Sequence, residues 1–468
     1  MKNRVFRNRT LCIALAVALT GCATVSPVLK PKVAAPAAWN ETAPQNAVAV
    51  SADWWSVFGS AELQDLVNAA LSDSPDLSIA IERVVQAEAQ ARIAGASLFP
   101  TLNLGLGTST RKSSSDGISS TTNASSTTLS ASYELDVWGR NAAGVRGANA
   151  SLQATTYDRD TARLTLIAGV ATGYFQLLSL RSRLAIAREN LAIAERVQNT
   201  VITRARNGAA SALDVSRQDA TVLSQRAALL PLEQQERQTL AALAILIGRV
   251  PEGFDVKATG VAGLLVPTVD PGLPADLLVR RPDLASAEAR LAAGNADIAA
   301  ARAALLPGFS LTGSAGVSSG ALLSFLGGGA SVASLALSIL QPIFDGGRLR
   351  GQVKISESQE RLLVETYRKA ILAAFADVEN SLVAASRVAQ QEVLQTQVQT
   401  QAANALRLAE IRYREGADDL LTVLDAQRTL FNAQDQLAQI RLNRLQAAVS
   451  LYKALGGGWA VPVRNNQS

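Results

Sequence analysis

Residues 352–415 read QVKISESQERLLVETYRKAILAAFADVENSLVAASRVAQQEVLQTQVQTQAANALRLAEIRYRE and contain neither glycine nor proline. Apolar side chains recur along this stretch in steps of four and three positions, at Leu363, Tyr367, Ile371, Ala374, Val378, Leu382 and Ala385. Steps of this size place side chains on one face of an α-helix. If the stretch is helical throughout, it extends roughly 96 Å at about 1.5 Å per residue. Average globular helices have only about 11 residues.

A glycine-containing break ends this predicted helix. Gly416, Ala417 and Asp418 interrupt the apolar stripe, which resumes over residues 420–455. A break followed by a second helix predicts a helical hairpin with its tip near Gly416. An earlier hairpin is predicted with its tip near residue 208 and a return helix over residues 212–247. Pro231 lies inside that return helix and is expected to kink or restart it.

The chain repeats itself at an offset of 207 or 208 positions. Leu98-Phe99-Pro100 returns as Leu305-Leu306-Pro307, and Leu246-Ile247-Gly248 returns as Ala454-Leu455-Gly456. The two hairpin tips obey the same offset. A constant offset over most of a chain predicts a tandem repeat of two units.

Alternating segments predict four β-strands, two in each repeat. Apolar and polar residues alternate over about 101–110 and 127–138 in the first repeat, and over about 308–318 and 332–343 in the second. Residues 111–126 are almost all Ser, Thr, Asn, Asp and Gly, which predicts an exposed loop. A glycine-rich turn is predicted around residues 327–329.

The strands have the length and the two-faced pattern of strands that cross a bilayer. Hairpins of a soluble sandwich are the alternative. Four strands cannot close a membrane barrel alone, because small natural barrels use about eight. If the strands span a membrane, the protein must therefore oligomerise to remove the open edges of its sheet.

The N-terminus predicts export from the cytoplasm. A basic segment up to Arg9 and a short apolar run over residues 11–19 indicate a signal peptide over residues 1–21. Leu19-Thr20-Gly21-Cys22 resembles the lipobox of bacterial lipoproteins, which implies lipidation at Cys22; an ordinary signal peptide with an incidental cysteine is the alternative. Ala23 after the cysteine favours the outer membrane by analogy with that class. After the signal peptide, the sequence contains no run of around 18 consecutive apolar residues, so we predict no transmembrane helix.

Composition argues against an enzyme and against nucleic-acid binding. The sequence has no histidine, one methionine and two cysteines, Cys12 and Cys22, which leaves no residues for a disulfide framework or a typical metal site. The net charge of +5 includes four basic residues of the signal peptide, so the mature chain carries about +1. We expect no catalysis, no cofactor and no metal.

The predicted organisation has five parts. The signal peptide (1–21) precedes a lipid-anchored tether (22–60), the first repeat (61–265), the second repeat (266–460) and a C-terminal tail (461–468). Each repeat contains a β-hairpin and a long helical hairpin.

Several separated motifs resemble one family. RRPDL at 280–284, ARAALLPGFSLTGSAG at 301–316, YREGADDLLTVLDAQRTL at 413–430 and LYKALGGGW at 451–459 resemble the outer membrane factor (TolC-like) family, in its lipidated OprM/NodT-type branch. The resemblance covers nearly the whole mature chain. It implies a mixed α and β membrane protein that forms a homotrimer, with a twelve-stranded outer-membrane β-barrel and a periplasmic α-helical barrel.

The resemblance also implies a function. The protein would be the passive exit duct of a tripartite efflux or export system, most often of the RND type, lipid-anchored in the bacterial outer membrane and extending into the periplasm. Its partners would be a periplasmic adaptor protein, an inner-membrane pump and outer-membrane lipid. A periplasmic adaptor (membrane fusion) lipoprotein is the alternative, although nothing here resembles lipoyl domains.

The family position of the periplasmic gate corresponds to Leu421 and Asp425. A spacing of four places both on one helix face. Three copies would form an apolar ring and a carboxylate ring, whose mutual repulsion favours cation binding, raised pKa values or dilation. A solvated helix residue is the alternative for Asp425. TolC itself carries a further acid where this chain has Thr422, so its detailed latch does not transfer.

Residues around the tips have two possible roles each. Asp418 and Asp419 are expected to support the gate or to cap the return helix, with Arg412 or Arg414 as ionic partners. The small residues at the tips allow close docking of an adaptor or serve only as turn residues; they are Gly208, Ala209, Gly416 and Ala417.

Overall fold

The structure is a computed structural model that describes residues 31, 33–41, 49–115, 118–320 and 330–460. The predicted signal peptide, Cys22, the glycine-rich turn at 327–329 and the tail 461–468 lie outside the described residues.

The elements occur in the same order in the two halves of the chain. They are a 3₁₀ turn Trp54–Phe58, α1 Ala61–Asp73, α2 Pro75–Ala96, β1 Thr101–Ser115, β2 Ile118–Leu135, α3 Arg140–Arg206, α4 Ala212–Leu246, a 3₁₀ turn Pro274–Asp276, α5 Leu277–Arg280, α6 Pro282–Ala303, β3 Gly308–Ser319, β4 Ala330–Leu340, α7 Arg348–Arg414 and α8 Leu420–Ala454. The helices α3 and α7 both have 67 residues, and α4 and α8 both have 35. The tandem repeat predicted from the offset is confirmed.

The four strands form one antiparallel sheet in the order β1-β2-β3-β4. The register aligns apolar residues across the sheet: Leu104 lies opposite Leu129, Leu129 opposite Ala315, and Ala315 opposite Ala333. Successive side chains of a strand point to opposite faces. One face is therefore mostly apolar, and the other consists mainly of Ser, Thr and Gly.

The predicted loop at 111–126 is wrong, because residues 111–115 and 118–126 continue the first β-hairpin. Their register runs from Arg111 opposite Thr122 to Ser115 opposite Ile118. Hydroxyl side chains support the pairing, since Thr110 Oγ1 donates to Asn123 Oδ1 at 2.9 Å. A Ser- and Thr-rich composition indicates exposure to water, but threonine also favours strands.

The long helices agree with the apolar pattern. Tyr367, Ile371, Ala374, Val378 and Leu382 are all buried on one face of α7. By contrast, α4 continues without interruption through the exposed Pro231, so the predicted restart is wrong. The carbonyl that loses its N–H partner there can be hydrated, because that side of the helix faces solvent.

One described helix, α3, contains an 18-residue stretch apolar enough to cross a membrane by composition. Within this chain 61% of that stretch is buried, and this burial explains its composition as that of a core helix.

The chain divides into two units. The first contains the sheet with the helical segments 83–96, 140–156, 286–303 and 348–368, and the second contains the remaining helical parts and the N-terminal residues from Val33. In the second unit Trp54 stacks on Tyr452 with ring centroids 5.0 Å apart, and Phe58 packs against Phe175 at 4.9 Å. Trp54 and Phe58, at the end of the predicted tether, therefore belong to the hydrophobic core of the second unit.

The RRPDL motif provides a polar anchor in the same unit. The side chain of Arg281 is only 12% exposed and pairs with Asp283 at 2.7 Å and Asp377 at 3.2 Å. Its Nη1 also donates to the Ala454 carbonyl at the end of α8, at 3.1 Å. One guanidinium therefore joins the start of α6 to α7 and α8.

Candidate functional site at the hairpin tips

Both hairpin tips close in the same way. Gly208 has φ +74° and Gly416 has φ +77°, a left-handed conformation that favours glycine. Ala209 N donates to the Arg204 carbonyl and Ala417 N to the Arg412 carbonyl, each at 2.8 Å, as in helix C-caps of this type. A Cβ added at either glycine would meet nothing within 4 Å, so backbone conformation explains both glycines within this chain.

The return helices begin with side-chain caps. In α4, Ser211 and Asp214 form a reciprocal capping box. In α8, Asp419 is the N-cap and accepts from Thr422 N at 3.0 Å. The hydrogen bonds from Thr422 lower the pKa of the Asp419 carboxyl.

Asp418 forms an ion pair across its tip. Its carboxylate lies 2.6 Å from Nε of Arg412, and this hydrogen-bonded cation lowers the pKa of Asp418. Arg414 contributes its carbonyl, which accepts from Arg204 Nη1 at 3.5 Å.

An apolar cluster joins the two hairpins behind the tips. It contains Val197 and Val201 of α3, Leu406 and Tyr413 of α7, and Val423 and Leu430 of α8, among others. This packing fixes which face of α8 is buried.

Leu421 and Asp425 lie on the opposite, exposed face of α8. Leu421 is 55% exposed, whereas its neighbour Leu420 is 3% exposed. The Asp425 side chain is 65% exposed. No other part of the described chain therefore covers the Leu421 side chain.

Asp425 has an ionic partner that the sequence reasoning missed. Arg428, one turn further along α8, lies 2.5 Å from the Asp425 carboxylate. The acidic and basic residues at positions i and i+3 could have indicated this pair. Three copies of α8 would therefore bring together three ion pairs, not three unpaired carboxylates.

Arg204 is a second residue that the sequence reasoning missed. Its guanidinium lies over the ring of Tyr413, 4.6 Å from the ring centroid, and donates to the Tyr413 carbonyl. Arg204 belongs to the last turn of α3 and Tyr413 to the last turn of α7. The contact joins the first hairpin to the second at the base of the tips.

An open groove runs between α4 and α8 on the side of Leu421. Thr221, Ser224 and Gln225 line one wall, and Leu421, Asp425, Gln427 and Arg428 line the other. The candidate gate residues therefore border a groove of the same chain, lined by both polar and apolar side chains.

The fold and the comparisons define a class of protein. The family model described as outer membrane efflux protein matches residues 66–249 and 273–457. The chain belongs to this family of bacterial outer membrane channels, and the adaptor alternative is thereby excluded. The protein is an efflux channel that lies in the outer membrane and extends into the periplasm.

Individual relatives cover nearly the whole chain. The sequence is 46% identical to the pyoverdine export outer membrane protein OpmQ of Pseudomonas aeruginosa, over 96% of both chains. The structure matches the outer-membrane channel OprN with a TM-score of 0.84 and 27% identity, over 92% of this chain and 100% of the other. It matches the open state of the Neisseria gonorrhoeae channel MtrE with a TM-score of 0.84 and 30% identity, over 93% and 98% of the two chains.

Proposed function

We propose that the protein is the passive exit duct of a tripartite export system, and that a homotrimer of it is closed at its hairpin tips by Leu421 and the Asp425–Arg428 pair. The observation that carries this proposal is an exposed apolar residue one turn before an exposed ion pair, on a helix whose opposite face is buried. Transport through such a duct needs no catalytic group in this chain.

The sheet supports a trimer. Its outer strands β1 and β4 each have one neighbour among the described strands, so each leaves one edge unpaired. Strand edges do not persist in a bilayer. Three copies of four strands give twelve, which is enough for a closed barrel.

The internal repeat offers a template for the contact between copies. Within the chain, the segment after β2 reaches the start of β3, where Trp138 Nε1 donates to the Pro307 carbonyl at 2.8 Å. The corresponding segment after β4 carries Ile343 and Phe344, which are 91% and 92% exposed. The start of β1, which corresponds to the start of β3, carries Phe99 at 70% exposure. We infer that Phe344 of one copy covers this segment of the next copy.

The N-terminus and the tips supply the remaining parts of the proposal. Cys22 would be lipidated and hold the mature chain at the outer membrane. Gly208, Ala209, Gly416 and Ala417 would contact a periplasmic adaptor, which connects the duct to an inner-membrane pump of the RND type. The open space around both glycines supports this contact, because no side chain of the same unit covers them.

For cargo, we infer pyoverdine or a polar molecule of similar chemistry. The relative at 46% identity is named for pyoverdine export. The polar face of the sheet carries hydroxyl side chains such as Ser130, Thr312, Ser314 and Ser338, and in a closed barrel this face lines the lumen. Expression of this chain in an OpmQ-deficient strain should restore pyoverdine in the medium; intact adaptor-dependent efflux without pyoverdine export would reject this cargo alone.

Single-channel conductance in a planar bilayer tests the gate. The full-length protein should show small, infrequent openings, and Leu421→Ala and Asp425→Ala should enlarge them or make them more frequent. Leu213→Ala is a matched control, because Leu213 occupies the corresponding position of α4 and is 57% exposed. An equal response to Leu213→Ala, or no response to the other two variants, would reject the gate. No conductance from a well-folded protein in the bilayer would reject the duct.

A further inference from the structure

A buried amide without a partner lies beneath the proposed gate. Gln427 follows Asp425 by two positions and is only 1% exposed. Among the described residues, neither its Oε1 nor its Nε2 has a hydrogen-bond partner. Val423, Leu430 and Phe431 lie one turn before and one turn after it and are buried as well. The amide therefore belongs to the apolar face of α8, where it loses hydration without a compensating hydrogen bond.

The first repeat shows what Gln427 lacks. The corresponding position of α4 holds Asp219, which accepts a hydrogen bond from Gln198 Nε2 at 2.7 Å. The position in α7 that corresponds to Gln198 holds Leu406, which is 4% exposed. The second hairpin thus keeps a polar residue at this level of its return helix and has leucine where the first hairpin has the polar partner.

A neighbouring copy cannot supply the missing partner in this conformation. Both amide atoms of Gln427 are already excluded from solvent within one chain. Gln427 nevertheless borders the groove between α4 and α8. A displacement of α8 away from α4 would widen this groove beside the amide.

We propose that Gln427 destabilises the closed packing of α8 and so lowers the free energy required to open the gate. The proposal rests on the gate at Leu421 and Asp425. In the structure the amide is buried and unpaired, and the proposal assigns this packing of α8 to the closed state. When α8 moves, the amide binds water, and the open state gains hydrogen bonds that the closed state lacks. A polar group with this difference between two states shifts their equilibrium toward the one that solvates it.

Two substitutions test this role by different chemistry. Gln427→Leu replaces the amide by an apolar group of similar size, and Leu406→Gln introduces a polar partner at the level where the first hairpin has one. In single-channel recordings of the full-length protein, we expect each variant to lower the frequency of spontaneous opening about tenfold, the effect of one unpaired polar group on a two-state equilibrium. The thermal midpoint of the Gln427→Leu trimer should rise.

Gln218→Leu is the matched control. The Gln218 amide is buried in α4, and its Oε1 has no partner among the described residues. Its Nε2 donates to the Ala194 carbonyl at 2.7 Å, so loss of this bond should lower the thermal midpoint. Leu421→Ala in the same recordings separates the two proposals. If Leu421→Ala has no effect, the proposed gate fails. If Leu421→Ala increases opening while Gln427→Leu and Leu406→Gln leave it unchanged, the role of Gln427 is overturned and the gate stands. A lower thermal midpoint or failed trimer assembly of Gln427→Leu also overturns it.

Discussion

Replacement of Arg204 by methionine should open the channel in the absence of an adaptor. Arg204 holds the C-terminal end of α7 through the Tyr413 carbonyl and through its ring at 4.6 Å. A charged hydrogen bond contributes about 1.5–3 kcal/mol, and a partly desolvated cation–π contact about 1 kcal/mol. The carbonyls left behind can be partly hydrated, so we expect a net loss of about 2–3 kcal/mol per chain. Since about 1.4 kcal/mol corresponds to a tenfold change, opening should become roughly 30- to 150-fold more frequent.

The assay is single-channel recording, with antibiotic sensitivity of cells expressing the variant as a second measurement. Tyr413→Phe is the control, because the Tyr413 hydroxyl is buried and has no partner among the described residues. This variant keeps both the ring and the carbonyl that Arg204 contacts, and opening should stay as in the unmodified protein. If Arg204→Met leaves conductance unchanged, or if Tyr413→Phe opens the channel as strongly, the contact of Arg204 does not hold the two hairpins together.

Four further predictions concern the anchor, the tips and the contact between copies. Arg281→Met should lower the thermal midpoint by an amount equivalent to about 2–4 kcal/mol, because two carboxylates and a carbonyl lose a largely buried guanidinium. Arg281→Lys should retain only part of this stability, and an unchanged midpoint for Arg281→Lys would contradict the role of the planar fork. Gly416→Ala should lower the stability of the tip by about 1–2 kcal/mol, because alanine is strained at the positive φ of this position. Gly416→Asn should lower it less. The rate of proteolysis at the tip measures both effects. The lowered pKa values of Asp214, Asp418 and Asp419 mean that these carboxylates stabilise the tips above their unfolded pKa of about 3.9 and lose this effect as pH falls through the lower folded values. Pepsin cleavage at the tips, measured relative to cleavage of an unfolded substrate at the same pH, should therefore rise below about pH 4 and stay constant from pH 4 to 5. Cysteines at Phe99 and Phe344 should cross-link neighbouring copies into trimers, whereas cysteines at Phe99 and Val250, also exposed, should not.

The sequence predicted the helical hairpins well because their determinants are local. Absence of glycine and proline over residues 352–415, together with apolar steps of three and four, is sufficient to specify α7. The second copy of the pattern then located α3 and α4. The predicted restart at Pro231 was wrong because the cost of a proline depends on whether the freed carbonyl reaches water, and exposure is not visible in a local pattern.

The errors and omissions at the sheet and the site depend on distant partners. Residues 111–126 have a composition shared by loops and by hydroxyl-rich hairpins, and only the pairing with the opposite strand distinguishes the two. Arg204 and Tyr413 are separated by 209 positions, so no local rule brings them together. Arg428 was different, because its spacing from Asp425 was visible and its contribution to the charge of the site could have been inferred.

The two return helices, α4 and α8, have the same backbone structure but different side chains. The helices α4 and α8 have equal lengths, and their corresponding positions are 208 residues apart throughout. Their side-chain differences are therefore not forced by a different fold. Hairpin 1 pairs Gln198 with Asp219, whereas hairpin 2 has Leu406 and the unpaired Gln427 at these positions. The position of Asp425 is Arg217 in α4. Under the proposed gate, the substitutions that α8 carries and α4 lacks would distinguish the helix that moves from its counterpart in the first repeat.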